Sequence, residues 1–302
     1  MMSFVLLPLY TDLLPTQEYG KVSIIFAWIV VFNVILAYGM ETAFFRFYHD
    51  DKTKNSVKGT SALSIAISSI IFLGLALYLK SHLASLINID VKYITFVIWI
   101  LVLDALVIIP FSILRAKGKS MLYSILKIVN VAINLGLNVF FLVILKDLIN
   151  PSKEVFWNSI WFSGAEVSYI FISNLIASLL TLLMLVPLYF KIKLRINFSL
   201  LKKMLRFGFP VMIAGLAYAV NETFDRILLD YLLPSETAES QIGAYAACYK
   251  LALFITLFAT AFRLGIEPFF FSHSKEKNSK ETYALITKYF VLIGLGILLS
   301  VI

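Results

Sequence analysis

The stretch Gly39–Asp50, GMETAFFRFYHD, has a second, diverged copy at Gly265–Glu276, GIEPFFFSHSKE. Each copy places a glycine, an apolar residue and a glutamate at the end of a long apolar run, and phenylalanines and a histidine follow. At a shift of 226 residues the match continues upstream without a gap and pairs Tyr19 with Tyr245. Apolar identities are common in membrane helices, so the shared pattern Gly-x-Glu-x-x-Phe-Phe is the main indication of an internal repeat.

The composition predicts a membrane protein. Of the 302 residues, 60% are hydrophobic and only 15% are charged, and the mean hydropathy is +0.89. A soluble domain carries roughly 25% charged residues. Apolar runs of about 20 residues recur, each long enough to cross the hydrocarbon core as a helix. They do not alternate as the strands of a membrane barrel do, and helices satisfy their own backbone groups in lipid. We therefore expect an all-α, polytopic helical bundle.

Nine membrane segments are predicted. They are residues 1–14, 21–46, 60–80, 92–114, 120–145, 166–190, 207–233, 243–271 and 283–302. The first and the last are cut by the ends of the sequence, so we expect the chain to be an incomplete part of a longer protein.

The basic residues behind the net charge of +8 are concentrated in alternate loops, and this distribution predicts the orientation of the chain in the membrane. When the loops are taken alternately, one set holds 16 lysines and arginines and the other holds five. The positive-inside rule assigns the richer set to the cytoplasm, so segment one runs outward and the N-terminus is cytoplasmic. Because the charge follows the loops, no nucleic-acid partner is expected.

The two copies of the repeat run in the same direction, since segments one and seven both travel outward. A parallel repeat is typical of transporters built from two halves, with the substrate bound between them near the midplane. We expect an N-terminal lobe at 1–195, holding helices one to six. Residues 196–302 then hold helices seven to nine, the start of a second, truncated lobe.

Segment five carries an unusual number of polar residues. Lys127, Asn130, Asn134 and Asn138 recur at intervals of three or four, which places them on one helix face. Two interpretations stay open: the face lines a hydrated cavity that binds substrate, or it makes hydrogen bonds to neighbouring helices.

Carboxylates within the segments are candidates for ion coupling. Asp104 lies midway along segment four, where a carboxylate binds a proton or cation or pairs with a residue such as Lys127. Segments seven and eight add four charged residues at similar outer-half depth: Glu222, Asp225, Arg226 and Lys250. These four residues form either ion pairs that hold the two helices together or a binding site for substrate and ion. The carboxylates of Glu222 and Asp225 are further candidates for ion coupling.

The cytoplasmic ends of segments two and eight are candidates for a gate. They hold Gly39, Glu41 and Arg46 in one copy and Arg263, Gly265 and Glu267 in the other. The glycines permit bending or close packing, and the glutamates with the phenylalanine clusters help to close the inner gate. The arginines either bind phosphate or place their charge at the membrane surface.

Several chemistries are not predicted. The sequence has no Walker loop, nucleophile elbow, HExxH motif or glycine-rich dinucleotide motif. Its one cysteine and three histidines have no metal-ligand spacing. We expect no metal, no cofactor, no catalytic residue and no enzymatic activity, and transport would draw on an ion gradient.

Four stretches resemble a known family. They are PLYTDLLPTQEYGKVSI, ILRAKGKSMLYSILKIVNVAINLGLNVFFLVIL, SNLIASLLTLLMLVPLYF and KMLRFGFPVMIAGLAYAVNETFDRILLDYLLP. Their order and spacing are similar to those of the Wzx-type polysaccharide flippases of the MOP (MATE-like) superfamily. The family's Gly-Val-x-Gly ending of segment five is absent, and GAEVSYIFISN follows a longer insertion.

The resemblance implies two six-helix lobes around a cationic cavity in the bacterial inner membrane. It implies translocation of an oligosaccharide linked to undecaprenyl pyrophosphate, for surface polysaccharide or lipopolysaccharide biosynthesis. Polysaccharide polymerases and glycosyltransferases would be partners. By analogy the substrate path includes Arg46, Lys127, Arg226, Lys250 and Arg263. A drug or cation antiporter and a lipid II flippase are alternatives, whereas a membrane glycosyltransferase or polymerase needs larger outer loops.

Overall fold

The computed structural model describes residues 6–48, 53–87, 89–148, 164–234, 236–273 and 279–301. Every regular element in these ranges is helical, which confirms the predicted all-α class. The elements are α1 (Leu7–Leu13), α2 (Thr16–Ala37), α3 (Met40–Tyr48), α4 (Lys54–Leu86), α5 (Val91–Ala116), α6 (Ser120–Val139), a π-helical turn (Phe140–Ile144), α7 (Leu145–Leu148), α8 (Glu166–Tyr189), α9 (Phe198–Leu232), α10 (Ala238–His273) and α11 (Ser279–Val301).

Seven helical stretches of the described residues are long and apolar enough to cross a membrane. They are Thr16–Tyr48, Ser56–Leu86, Val91–Ala116, Ser120–Ile144, Glu166–Tyr189, Phe198–Leu232 and Lys280–Ser300. They match predicted segments two to seven and nine. Predicted segment eight forms most of α10, many of whose side chains lie outside the described residues. The described part of segment one is α1, which covers about 10 Å. The chain is a polytopic helical membrane protein.

Two helices are longer than the apolar runs that predict them. Helix α4 has 33 residues, against a predicted segment of 60–80, and α9 has 35, against 207–233. Both extensions are basic at the end predicted to be cytoplasmic: Lys54 and Lys58 on α4, and Lys202, Lys203 and Arg206 on α9. Hydropathy marks the part of a helix that lies in hydrocarbon, and it misses turns that continue among the headgroups.

Helix α5 is the centre of the bundle. It is apolar on all sides, as a helix surrounded by other helices must be, and Ile100, Ile109 and Ile113 are almost fully buried. It packs against α2, α3, α4, α6 and α8. Its one carboxylate, Asp104, is therefore held inside the helical bundle.

The connection into α9 is fixed against the start of α4. A Cβ atom on Gly59 would overlap the carbonyl oxygen of Lys193, so only glycine permits this approach. The backbone N–H of Asn197 donates to the Thr60 hydroxyl at 3.1 Å. The Asn197 side chain then accepts from the N–H of Leu200 at 3.1 Å and caps α9. These contacts set the residue at which α9 begins.

Residue contacts divide the chain into two units, Met1–Ile242 and Gly243–Ile302. The first holds α1 to α9 and the first residues of α10. The second holds the rest of α10 and α11, whose aromatic rings pack together: the ring of Phe290 lies 5.4 Å from that of Phe258 and 4.4 Å from that of Phe262. The lobe boundary at 195/196 concerns the halves of the repeat, and it stays a prediction.

Candidate functional site

A polar cavity of about 300 Å³ lies inside the first unit, among α2, α5, α6 and α8. Its polar lining consists of Asn33, Asp104, Lys127, Asn130, Asn174, Ser178 and Thr181. Phe111 and two aliphatic residues of α5 complete the wall. Polar groups within a membrane bundle are costly unless they pair with one another or meet water. The cavity is therefore the first candidate for a functional site.

Asp104 is the one carboxylate in this lining. It lies 12 residues before the end of α5, about 18 Å along the helix, and it is partly buried. The hydroxyl of Ser178 on α8 donates to its Oδ1 at 2.7 Å. This bond holds the carboxylate toward the cavity.

Lys127 is the one cation in the lining. It lies on α6, seven residues after Ser120, and its side chain is exposed. Its Nζ lies 4.6 Å from the centre of the Phe111 ring, within the range of a cation–π contact. Among the described residues no ion pair joins Lys127 to Asp104. The two opposite charges thus share the cavity without a direct bond.

The polar face of α6 serves two different neighbours. The side-chain amide of Asn130 donates to the Ala177 carbonyl at 3.1 Å and to the Thr181 hydroxyl at 2.8 Å, both on α8. Asn134 and Asn138 are buried away from the cavity. The Tyr10 hydroxyl of α1 donates to Asn138 at 2.9 Å, and Asn138 donates to the Asn134 oxygen at 2.8 Å. The bonds of Asn130 to α8 and of Asn138 to α1 are helix–helix hydrogen bonds, as in the second interpretation, and Asn130 also lines the cavity of the first.

The predicted gate region contains a break in the chain. Helix α2 ends at Ala37, and α3 begins at Met40. The intervening Tyr38 and Gly39 have φ of 32° and 69°. Gly39 faces Gly208 of α9 so closely that a Cβ atom on Gly39 would overlap the Gly208 carbonyl. The break and this backbone contact with α9 therefore occur at the same point.

An ion pair lies beside this break. Arg115, in the last turn of α5, pairs with Glu41 in the first turn of α3. Its guanidinium also lies 4.8 Å from the ring centre of Phe45 and 5.1 Å from that of Tyr123. Sequence reasoning did not select Arg115 as a site residue, although it stands in the family-like Leu-Arg-Ala stretch. The Arg46 guanidinium is 4.3 Å from the Phe207 ring centre and is exposed.

A second charged cluster at the opposite, predicted outer, end was also missed. The Lys21 ammonium lies 3.0 Å from a Glu18 oxygen and 3.6 Å from a Glu239 oxygen. The Gln17 amide donates to Glu239 at 2.7 Å, and a small cavity of about 70 Å³ adjoins Lys21 and Asp230. The cluster joins the start of α2 to the start of α10.

One comparison with known proteins finds a match. The family model described as "Polysaccharide biosynthesis protein" matches residues 1–273. The chain belongs to this family. It is the polysaccharide flippase family of the MOP superfamily, so the resemblance is confirmed, and its members are transporters rather than enzymes. No curated protein matches the chain, and no solved structure does either.

Family membership supports a coarse assignment of function. This polysaccharide biosynthesis protein is a multi-pass membrane protein with the role of a polysaccharide flippase or exporter. Among the described residues, no group of three or more histidine, cysteine, aspartate or glutamate side chains is placed to hold a metal ion.

The remaining site candidates of this family member lie on α9 and α10. Three of them, Glu222, Asp225 and Arg226, lie on α9. The backbone N–H of Arg226 donates to Asp225 Oδ1 at 2.9 Å. Lys250 belongs to the second unit, so the network predicted between α9 and α10 stays a prediction. The side chains of Arg263, Gly265 and Glu267 lie outside the described residues.

Proposed function

We propose that the chain translocates a lipid-linked oligosaccharide across the bacterial inner membrane, for surface polysaccharide or lipopolysaccharide synthesis. The family match over residues 1–273 carries the proposal, because it spans nearly the whole chain. The substrate would be an undecaprenyl pyrophosphate carrier with its attached sugars. Glycosyltransferases build such a molecule on the cytoplasmic side, and a polymerase consumes it on the other.

The basic residues proposed for the substrate path suit the anionic pyrophosphate headgroup of the lipid carrier. Arg46 is exposed, and its guanidinium offers several N–H donors for phosphate oxygens while it stacks on Phe207. Lys127 is exposed at the polar cavity. Together with Arg226, Lys250 and Arg263 they form the proposed path for pyrophosphate and sugar.

Alternating access between the lobes at 1–195 and 196–302 is the proposed mechanism, driven by an ion gradient. Asp104 is the leading coupling residue, because it is a carboxylate in a polar cavity inside the membrane bundle; Glu222 and Asp225 are further candidates. The break at Gly39 and the Glu41–Arg115 pair support a cytoplasmic gate there. Gly265 and Glu267 are its proposed counterparts in the second lobe.

Complementation tests this function. The complete protein, expressed with its own sugar-assembly enzymes in a bacterium that lacks its flippase, is expected to restore surface polysaccharide. Confirmed membrane expression with no restored polysaccharide would count against the proposal. Restored drug resistance without polysaccharide would indicate a cation antiporter instead.

A further inference from the structure

We propose that the cavity among α2, α5, α6 and α8 binds the coupling proton at Asp104, with Lys127 as a tethered counter-cation in place of a metal ion. The inference rests on the proposed function, since it names the ion that drives transport. Proton binding at Asp104 can also be tested without any transport substrate.

An ionised Asp104 is costly inside the bundle. Asp104 lies about 18 Å from the inner end of α5, and the Ser178 hydroxyl and the neighbouring Asn33 side chain compensate part of its charge. An ionised carboxylate at this depth is stable only when a cation or further donors compensate it. Protonation removes the charge, and approach of the Lys127 ammonium compensates it. The charge of Asp104 can therefore be removed or compensated in two alternative ways, which gives the site the two states that a coupling site requires.

The charge of the lining favours a proton over a metal cation as the bound ion. The lining holds one carboxylate, and its other oxygen ligands are the neutral amide oxygens of Asn33, Asn130 and Asn174 and two hydroxyls. The Ser178 hydroxyl already donates to Asp104, and the Thr181 hydroxyl already bonds Ala177 and Asn130. Lys127 places a positive charge in the same cavity and repels a metal ion there. A proton needs only the carboxylate oxygen.

Lys127 is the one charged neighbour of Asp104 in the cavity lining. Helices α2 and α8 contribute amides and hydroxyls to the lining, namely Asn33, Asn174, Ser178 and Thr181, and no charged residue. The charged residues of α2, α3, α4 and α8, Lys92 of α5 and the histidine of α4 stand outside this lining: Glu18, Lys21, Glu41, Arg46, Lys54, Lys58, Lys80, His82, Lys92 and Glu166. Arg115, at the end of α5, pairs with Glu41 and stands outside the lining. Lys127 is therefore the charged group that sets the protonation of Asp104.

The chemistry is a proton transfer without redox change. A carboxylate oxygen of Asp104 accepts a proton from a hydronium ion on one side of the membrane: an O–H bond of the hydronium ion breaks, an O–H bond to Asp104 forms, a water molecule leaves, and Lys127 no longer faces a negative charge. When the cavity opens to the other side, the O–H bond breaks, water takes the proton, and Lys127 again compensates the carboxylate.

Infrared difference spectroscopy of the complete purified protein in lipid tests the site directly. The carbonyl stretch of a protonated carboxylic acid is followed as the pH is raised. We expect one such band to titrate in the wild type and to be absent in Asp104→Asn. In Lys127→Gln the band is expected to persist to a pH about one unit higher or more, because the compensating cation is gone. Glu166→Gln, at the distant start of α8, is the matched control and keeps the band.

Sodium chloride provides the second arm. Added at fixed pH, it should leave the Asp104 band unchanged, with potassium chloride as the control for ionic strength. Loss of the band on adding sodium but not potassium would overturn the proposal in favour of a metal site. Identical spectra for the wild type and Asp104→Asn would overturn it as well. Ser178→Ala, which removes a donor to the carboxylate, should also extend the band to higher pH if Asp104→Asn proves unstable.

The two proposals fail separately. A titrating Asp104 band without restored polysaccharide would retain the proton site and reject the flippase function. Restored polysaccharide without the band would retain the flippase and reject Asp104 as the proton acceptor.

Discussion

At the scale of single residues, the packing of α9 against the break between α2 and α3 depends on a backbone contact between Gly39 and Gly208. Gly39 has a positive φ, which side chains rarely adopt. Gly208 has ordinary helical geometry, yet a Cβ atom there would lie 2.8 Å from the Tyr38 carbonyl oxygen and 3.3 Å from backbone atoms of Gly39. Because these neighbours are backbone atoms, they cannot move aside cheaply.

Gly208→Ala is therefore expected to destabilise the protein by about 1–3 kcal/mol, the usual cost of overpacking. The thermal midpoint of the detergent-solubilised protein, read by size-exclusion chromatography, measures the change. Gly74→Ala is the matched control, since a Cβ atom on this glycine of α4 meets open space. Equal midpoints for the two variants would show that α9 does not approach Tyr38 and Gly39 this closely.

The Glu41–Arg115 pair is the second feature at this scale. Both side chains are partly exposed, so the pair itself contributes little to stability. As a gate contact it should affect transport: Glu41→Gln is expected to lower the rate of polysaccharide appearance roughly two- to fivefold, equivalent to about 0.5–1 kcal/mol. Arg115→Gln should then add little in the Glu41→Gln background. Independent, multiplying effects of the two substitutions would contradict a shared contact.

At the scale of helices, α6 shows how one polar face can serve two purposes. Lys127 and Asn138 are 11 residues apart, which is about 16 Å along the axis. The lower part of the face meets the cavity, and the upper part bonds α1 through Tyr10. Polarity in a membrane helix therefore marks packing at one level and a candidate site at another.

Tyr10→Phe separates these roles. It removes the hydroxyl that bonds Asn138, and we expect a loss of about 0.6–1 kcal/mol of stability, typical of such bonds in membrane bundles, with polysaccharide transport unchanged. Tyr78→Phe is the control, since Tyr78 is 86% exposed. If Tyr10→Phe stops transport while the thermal midpoint is unchanged, Asn138 belongs to the substrate path after all.

The same helices show what sequence reasoning can and cannot reach. Spacing correctly placed Lys127, Asn130, Asn134 and Asn138 on α6, because three- and four-residue intervals are a property of the helix itself. It gave no information on which helix that face meets, and Tyr10 is 128 residues from Asn138. Likewise Glu41 was selected without its partner Arg115, 74 residues away. Pairings between distant helices are set by tertiary packing, which no local pattern carries.

At the scale of the whole molecule, charge predicts the orientation in the membrane. The loop between α5 and α6 belongs to the basic set, and the end of α4 at residues 80–87 belongs to the poorer set. Cysteine accessibility tests this, in a Cys248→Ser background that removes the one thiol of this sequence. Both probe positions, Ser81 and Lys117, are exposed.

A membrane-impermeant maleimide is expected to label Ser81→Cys in intact cells, and Lys117→Cys only after the cells are opened. The reason is the positive-inside rule, which holds the basic loop in the cytoplasm. The reverse labelling pattern would show that the chain has the opposite orientation in the membrane, with the Glu41–Arg115 pair on the outer side.

Translocation of the lipid-linked oligosaccharide is the proposed activity of the protein, and it can be measured directly. The most direct measurement reconstitutes the complete purified protein in liposomes with lipid-linked oligosaccharide extracted from a complemented strain, and follows how much of it becomes accessible to a glycosidase outside. The account predicts that the protein brings substrate from the inner leaflet to the enzyme faster than protein-free liposomes do, and that Asp104→Asn slows this transfer. A rate for the wild-type protein equal to that of protein-free liposomes would contradict the account.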